Sequence, residues 1–177
     1  MNVAITGHTR GLGAELARHF TQAGHNVIGF SRSTGHDILN QAVREQIQEQ
    51  LKECSVFVNN AYAGFAQVDL LNRAFDVWEN RDRKWIINIG SMTSYFEKNH
   101  HHPYAIHKIA LDHQAKQLQR IRKWPMIMNF RPSVIDTDMG KSMSGPKMST
   151  TTAAGVIMFA FEHRNEFSVK DIVYEPV

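Results

Sequence analysis

The sequence predicts an α/β fold, a doubly wound parallel sheet covered by helices in three layers, α/β/α. Three observations carry this. Short β-rich runs recur with helical patterns between most of them, which is the rhythm of βαβ units. The runs are nearly continuous in apolar residues, as strands buried on both faces must be. The first run enters a glycine-rich turn and then a helical pattern, an opening suited to holding a phosphate at a helix N-terminus.

The first strand is Val3–Ile5, followed by Thr6-Gly7-His8-Thr9-Arg10-Gly11-Leu12-Gly13. Leu12, Leu16, Phe20 and Ala23 then form an apolar stripe at the helical period, and Gly24 supplies the stop, so a helix is expected over Leu12–Ala23. Further strands are expected at Val27–Phe30, Val56–Val58, Trp85–Ile89, Met126–Phe130 and Asp171–Tyr174. Helices are expected at Asn40–Lys52, Leu70–Asn80, Tyr104–Lys123 and Thr151–Glu162. Right-handed crossovers between such strands give the doubly wound arrangement. Gly140–Ser149, rich in Gly, Ser, Met and Pro, is the candidate mobile loop. No repeat or linker interrupts the chain, so residues 1–177 are expected to form one domain.

Composition narrows the function classes. The formal net charge is +3, with basic residues scattered and no dense Lys/Arg run, which gives no case for nucleic acid or membrane partners. The single cysteine, Cys54, excludes an internal disulfide and suits a cytoplasmic location. No apolar stretch reaches transmembrane length, and Val3-Ala4-Ile5 is too short for the core of a signal peptide.

Tyr104 and Lys108 lie four residues apart, with Ser91 thirteen residues upstream of the tyrosine. That spacing puts Tyr104 and Lys108 on one helix face, one turn apart. A neighbouring ammonium favours the phenolate, so the expectation is a Tyr104 pKa drawn down from about 10. At the N-terminal end, glycines at 7, 11 and 13 leave the opening helix accessible to a pyrophosphate.

With these segments in view, the sequence resembles the short-chain dehydrogenase/reductase family, whose fold is Rossmann-like. Thr6-Gly7-x-x-x-Gly11-x-Gly13 is similar to the family's cofactor turn, Asp37-Ile38 to its adenine-side pair, and Asn59-Asn60-Ala61 to its strand-four signature. Ser91, Tyr104 and Lys108 match its catalytic set, and Arg131-Pro132-Ser133-Val134-Ile135-Asp136-Thr137-Asp138-Met139 resembles the segment closing over the nicotinamide. The resemblance implies a nicotinamide dinucleotide held by Gly7, Thr9, Arg10, Gly11, Leu12, Gly13, Ser31, Arg32, Asp37, Ile38, Asn60, Ala61, Tyr104, Lys108, Ile135 and Thr137. It also implies hydride transfer to or from a small carbonyl or alcohol substrate, with Tyr104 as acid/base, Ser91 on the same oxygen and Lys108 on the ribose. Ser94 is the rival serine. Ser91 is preferred because it directly follows the strand ending at Ile89-Gly90.

Charge argues the cofactor. The second strand ends Gly29-Phe30-Ser31-Arg32-Ser33, without a carboxylate at its tip. An acid there would bind the ribose hydroxyls and repel a phosphate, whereas Arg32, with Arg10, can grip one. NADP(H) is therefore expected over NAD(H). Four departures from the family stand out. The stretch from Asn60 to Ser91 is short, the family's asparagine has no clear match beyond Asn72, Tyr62 and Ser133 stand at usual glycine positions, and the segment after Met139 is abbreviated.

His100, His101 and His102 precede Pro103 and Tyr104, with His107 and His113 nearby. Consecutive side chains rarely converge on one ion, so no metal is expected. Ile106, Ile109, Ala110, Leu118 and Ile121 give the helix beginning at Tyr104 apolar character on more than one side, which suits a homodimer or higher homo-oligomer. Two function classes remain: an NADP(H)-dependent oxidoreductase, and a nucleotide-binding sensor or regulator without turnover.

Overall fold

Among the described residues, six parallel strands form one sheet in the order β2-β1-β3-β4-β5-β6. They are β1 (Asn2–Thr6), β2 (Asn26–Phe30), β3 (Val56–Asn59), β4 (Trp85–Ile89), β5 (Met126–Pro132) and β6 (Asp171–Tyr174). Helices α1 (Gly11–Gln22), α2 (Gln41–Leu51), α3 (Ala66–Val77), α4 (Pro103–Ile121) and α5 (Thr150–Glu162) connect them. This computed structural model describes residues 1–79, 81–95, 100–121 and 123–177. Asn80, the expected end of α3, and Arg122, near the expected end of α4, lie outside the described residues.

Alternate side chains of each strand enter two separate cores, which is why the strands read as continuous apolar runs. Val3, Ile5, Val56, Val58, Ile87, Met128 and Phe130 pack with Leu16 and Phe20 of α1 and Ile157 and Phe161 of α5. Ala4, Phe57, Ile86 and Ile127 face the other way, against Ile47 and Leu51 of α2, Leu70 and Leu71 of α3, and Leu111 and Leu118 of α4. Full burial of each such large side chain contributes about 1.5–3 kcal/mol.

Local chemistry sets most of the element ends. Asn40 caps α2 by accepting from the Ala42 amide at 2.9 Å, and Ser149 caps α5 by accepting from Thr152 at 3.0 Å. Pro103 occupies the first turn of α4, where its missing N–H costs nothing. The expected start of α3 at Leu70 is one turn late. The helix begins at Ala66, after Gly64 turns the chain at φ +56°. The residue before it, Phe65, makes no side-chain capping bond, so no start signal marked that turn. The expected mobile loop is tied at its far end, where Met148 exchanges main-chain bonds with Val134 (2.9 Å) and Asp136 (2.8 Å).

Candidate active site

The strand order reverses at β1, with β2 on one side and β3 on the other, and the carboxyl ends of strands diverge at such a point to leave a crevice. Two segments line it and are bonded to each other. Thr6 Oγ1 accepts from the amides of Asn60 and Ala61, each at 3.0 Å, while Asn60 Nδ2 donates to the Thr6 carbonyl at 2.9 Å. Gly7 and Gly11 adopt φ +72° and +56°, which side chains rarely tolerate. Unlike α2 and α5, α1 has no side-chain cap: Arg10 precedes it in extended conformation with no capping bond. The unpaired amides of its first turn are free to meet an anion. These features fit a dinucleotide pyrophosphate.

The far wall is the loop after β5. A Cβ on Gly11 would stand 3.1 Å from Thr137 Cγ2, and Arg10 reaches Asp138 at 3.5 Å across the mouth. Both partners of that pair are exposed, so it adds little stability. The structure thus gathers Gly7, Thr9, Arg10, Gly11, Gly13, Asn60, Ala61, Ile135 and Thr137 around the crevice. Leu12 sends its side chain into the core, leaving only its main chain to contact a ligand. Ile38 is likewise buried in the other core, and Asp37 Oδ1 accepts from the Leu39 amide at 3.0 Å. At the tip of β2, Arg32 is exposed. The two serine hydroxyls beside it are engaged within the fold: Ser31 with His8 Nδ1 and Ser33 with Thr9 Oγ1, both at 3.0 Å.

Ser91, Tyr104 and Lys108 converge at the carboxyl end of β4. Ser91 follows that strand and its hydroxyl lies beside the Tyr104 phenol, accepting from the Thr93 amide at 3.2 Å. Ser94 Oγ instead lies within hydrogen-bond reach of its own turn's Ser91 carbonyl (2.8 Å) and of Asp112, which share its single hydrogen and separate its role from that of Ser91. Lys108 is buried on α4 and donates to Gln67 Oε1 at 2.9 Å and the Ile89 carbonyl at 2.8 Å.

The electrostatics correct the expected lowering of the Tyr104 pKa. Burial pushes the phenol above its ordinary value, the neighbouring Ser91 hydroxyl opposes this, and Tyr62 and Asp112 push further upward. Lys108 Nζ sits over the ring faces, 5.5 Å from the Tyr104 centroid and 5.7 Å from that of Tyr62. Burial also draws Lys108 itself down to about 7, against the attraction of Asp112. An amine that is partly neutral at pH 7 lends its neighbour less positive charge.

Register-matched polar residues continue the site across the sheet. Asn59 Nδ2 donates to Asn88 (3.1 Å), Asn88 Nδ2 to Asn129 (2.7 Å), and Asn129 Nδ2 to Asp112 (3.1 Å) and Asp171 (3.2 Å). Buried Arg131 bridges the same two carboxylates and carries the Tyr95 ring 4.0 Å above its guanidinium. Gly90 makes room: a Cβ there would lie 2.6 Å from Asp112 Oδ1.

Sequence reasoning missed Gln67, which no motif flags and which lies in the unmarked first turn of α3. Asn72, the expected asparagine candidate, instead accepts from Gln114 at 2.7 Å between α3 and α4. Tyr62 packs edge-on against Tyr104 at 4.8 Å and bonds His107 Nδ1 at 3.0 Å. His102 Nδ1 accepts from the Ala105 amide at 3.1 Å, capping α4. Among the described residues no three His, Cys, Asp or Glu side chains come together as a metal site, and no helix is long and apolar enough to cross a membrane.

The all-parallel sheet, its strand order and the crevice at the switch point define a Rossmann-like α/β fold. No family model and no curated protein sequence matches the chain; the likeness is structural. It is similar to the 3-alpha-hydroxysteroid dehydrogenase of Pseudomonas sp. B-0831, solved with NADH, at TM-score 0.83 and 17% identity, covering 99% of this chain and 95% of that one. A short-chain dehydrogenase of Burkholderia cenocepacia J2315 with NADP gives TM-score 0.82 at 18% identity, over 97% and 86% of the two chains. Serine dehydrogenase from Escherichia coli gives 0.75 at 15% identity, over 98% and 97%.

Proposed function

We propose that this chain is an NADP(H)-dependent oxidoreductase of the short-chain dehydrogenase type, acting on a small carbonyl or alcohol. The observation that carries the proposal is the meeting of Ser91, Tyr104 and Lys108 beside a glycine-lined crevice whose helix has uncapped amides. Gly7, Gly11, Gly13 and the first turn of α1 would hold the pyrophosphate, Asp37 and Ile38 the adenine side, and Ile135 and Thr137 the nicotinamide side, with Asn60 and Ala61 lining the crevice between. The bound nicotinamide supplies or receives the hydride. Tyr104 gives its phenolic proton to the carbonyl oxygen in reduction and takes it back in oxidation. A phenol held above its ordinary pKa stays protonated at neutral pH, which suits the donor role. Ser91 hydrogen-bonds the same oxygen and steadies the charge developing there. Lys108 stands next to the ring to anchor the ribose.

Exposed Arg32, with no acid at the tip of β2, supports NADP(H) over NAD(H). Exposed Ile106, Ile109 and Ile121 on α4 support a homodimer through that helix, and lone, buried Cys54 fits a cytoplasmic location. The second reading, a nucleotide-binding regulator without turnover, draws on Tyr62, whose ring fills space against Tyr104. Screening carbonyl compounds for oxidation of NADPH separates the two. Tyr104→Phe is expected to abolish turnover while leaving nucleotide affinity nearly unchanged. Normal turnover in that variant would overturn the acid/base assignment.

A further inference from the structure

We propose that Gln67 is a positioning residue that fixes the Lys108 side chain in the site, holding it by the amide oxygen while the amide nitrogen is locked to the ends of two strands. The inference rests on the reading of Lys108 as part of the reacting site, but its geometry stands independently. Gln67 is buried, and Nε2 donates to the Asn59 carbonyl at 2.8 Å and the Ile89 carbonyl at 3.0 Å. Both partners are acceptors only, so the amide has one orientation and Oε1 must face a donor. That donor is Lys108 Nζ at 2.9 Å.

The main chain of Gln67 is fixed as well. Asn59 Nδ2 donates to its carbonyl at 2.9 Å and continues through Asn88 and Asn129 to Asp112 and Asp171. The lysine amine therefore meets a rigid acceptor pair, Gln67 Oε1 and the Ile89 carbonyl, backed by an amide ladder that crosses four strands, in which Asn59 spends both amide hydrogens while its Oδ1 has no partner. Buried amides with every hydrogen used hold their neighbours in one geometry. A neutral amine still has two hydrogens for the same two acceptors, so Lys108 keeps its place in either protonation state, beside the Tyr104 and Tyr62 rings, with one valence left for the ribose. The charged and titratable groups around it are Asp112 on its own helix, Arg131 of β5 paired with that carboxylate, and the two phenols.

The test replaces the amide oxygen by a charge and then removes it. The Lys108 midpoint is read by NMR titration of protein labelled at lysine Cε, assigned with Lys108→Met. Gln67→Glu is isosteric and is expected to raise the midpoint by about 1–3 pH units, the effect of an opposite charge at contact distance. Gln67→Met, which keeps the length without the acceptor, is expected to lower it, and Gln67→Asn, one methylene shorter, to behave like Gln67→Met. With a carbonyl substrate in hand, the pH profile of kcat/KM should move in the same direction in Gln67→Glu. A Lys108 midpoint unchanged in folded Gln67→Glu and Gln67→Met would overturn the proposal. Absence of any turnover in the wild-type protein would sink the oxidoreductase reading and leave the NMR comparison to decide the role of Gln67.

Discussion

Replacing Gly13 by alanine would set a Cβ 2.2 Å from the Gly7 carbonyl oxygen and 2.6 Å from Asn60 Nδ2. Ordinary contact begins near 3.5 Å, so helix α1 must back away from the turn by roughly 1 Å. Neither obstacle yields easily. One is main chain, and the other is an amide tied to the Thr6 carbonyl. Overpacking of this kind costs about 1–3 kcal/mol, which in a domain of this size lowers Tm by roughly 2–12 °C. The same retreat moves the uncapped amides of α1 off a bound pyrophosphate. Loss of one such charge-assisted bond corresponds to about 10–100-fold in affinity. Circular dichroism melts and fluorescence titration with NADPH read the two effects separately. Gly155, in the solvent-facing part of α5 with nothing within 4 Å of its added Cβ, is the control. Alanine there should stabilise by about 0.5–1 kcal/mol. A Gly13→Ala protein with unchanged Tm and unchanged NADPH affinity would refute the close-approach reasoning.

Arg32→Asp should weaken NADPH binding about 10–100-fold, the worth of one bond to a charged group, while sparing NADH. Parallel titrations check this, and equal losses for both nucleotides would remove the arginine grip. Lys108, drawn from 10.5 down to about 7 in the fold, binds its proton less tightly than in the unfolded chain. Its burial therefore opposes folding fully below pH 7, and stability should rise with pH between about 7 and 10.5 as that opposition fades. Urea denaturation of wild type and Lys108→Met should show a difference that changes in favour of the wild type across this range; a flat difference contradicts the burial effect. Arg131→Leu strands the Asp112 carboxylate beside Asn129 and should cost about 3–5 kcal/mol in urea denaturation. A loss under 1 kcal/mol would mean that the bridge is dispensable.

The parts of the site legible in the chain were those governed by local geometry. The glycine turn is a statement about backbone dihedrals and close approach, and Gly7, Gly11 and Gly13 meet it within one turn. Tyr104 and Lys108 share a helix face because of their spacing alone. Contacts between distant segments were not legible. Gln67 meets Lys108 across 41 residues, from a helical turn without a capping residue. Ser31 reads as a free hydroxyl until His8 folds beneath the β2 tip to take it. Asn59, Asn88 and Asn129 look like unrelated strand-end amides until parallel register sets them side by side.

The chain by itself determined the strand and helix alternation, the parallel doubly wound sheet, the phosphate-ready turn and the Ser/Tyr/Lys set. Each follows from periodicity, spacing or a residue's own backbone freedom. Only the tertiary structure decided the environment of those groups. Burial, a sum over neighbours from segments far apart in the chain, turned the expected acidic phenol of Tyr104 into one held protonated, and drew Lys108 towards neutrality. A residue's chemistry is written in its side chain, but its pKa and its partners depend on how much water and which dipoles the rest of the fold leaves around it.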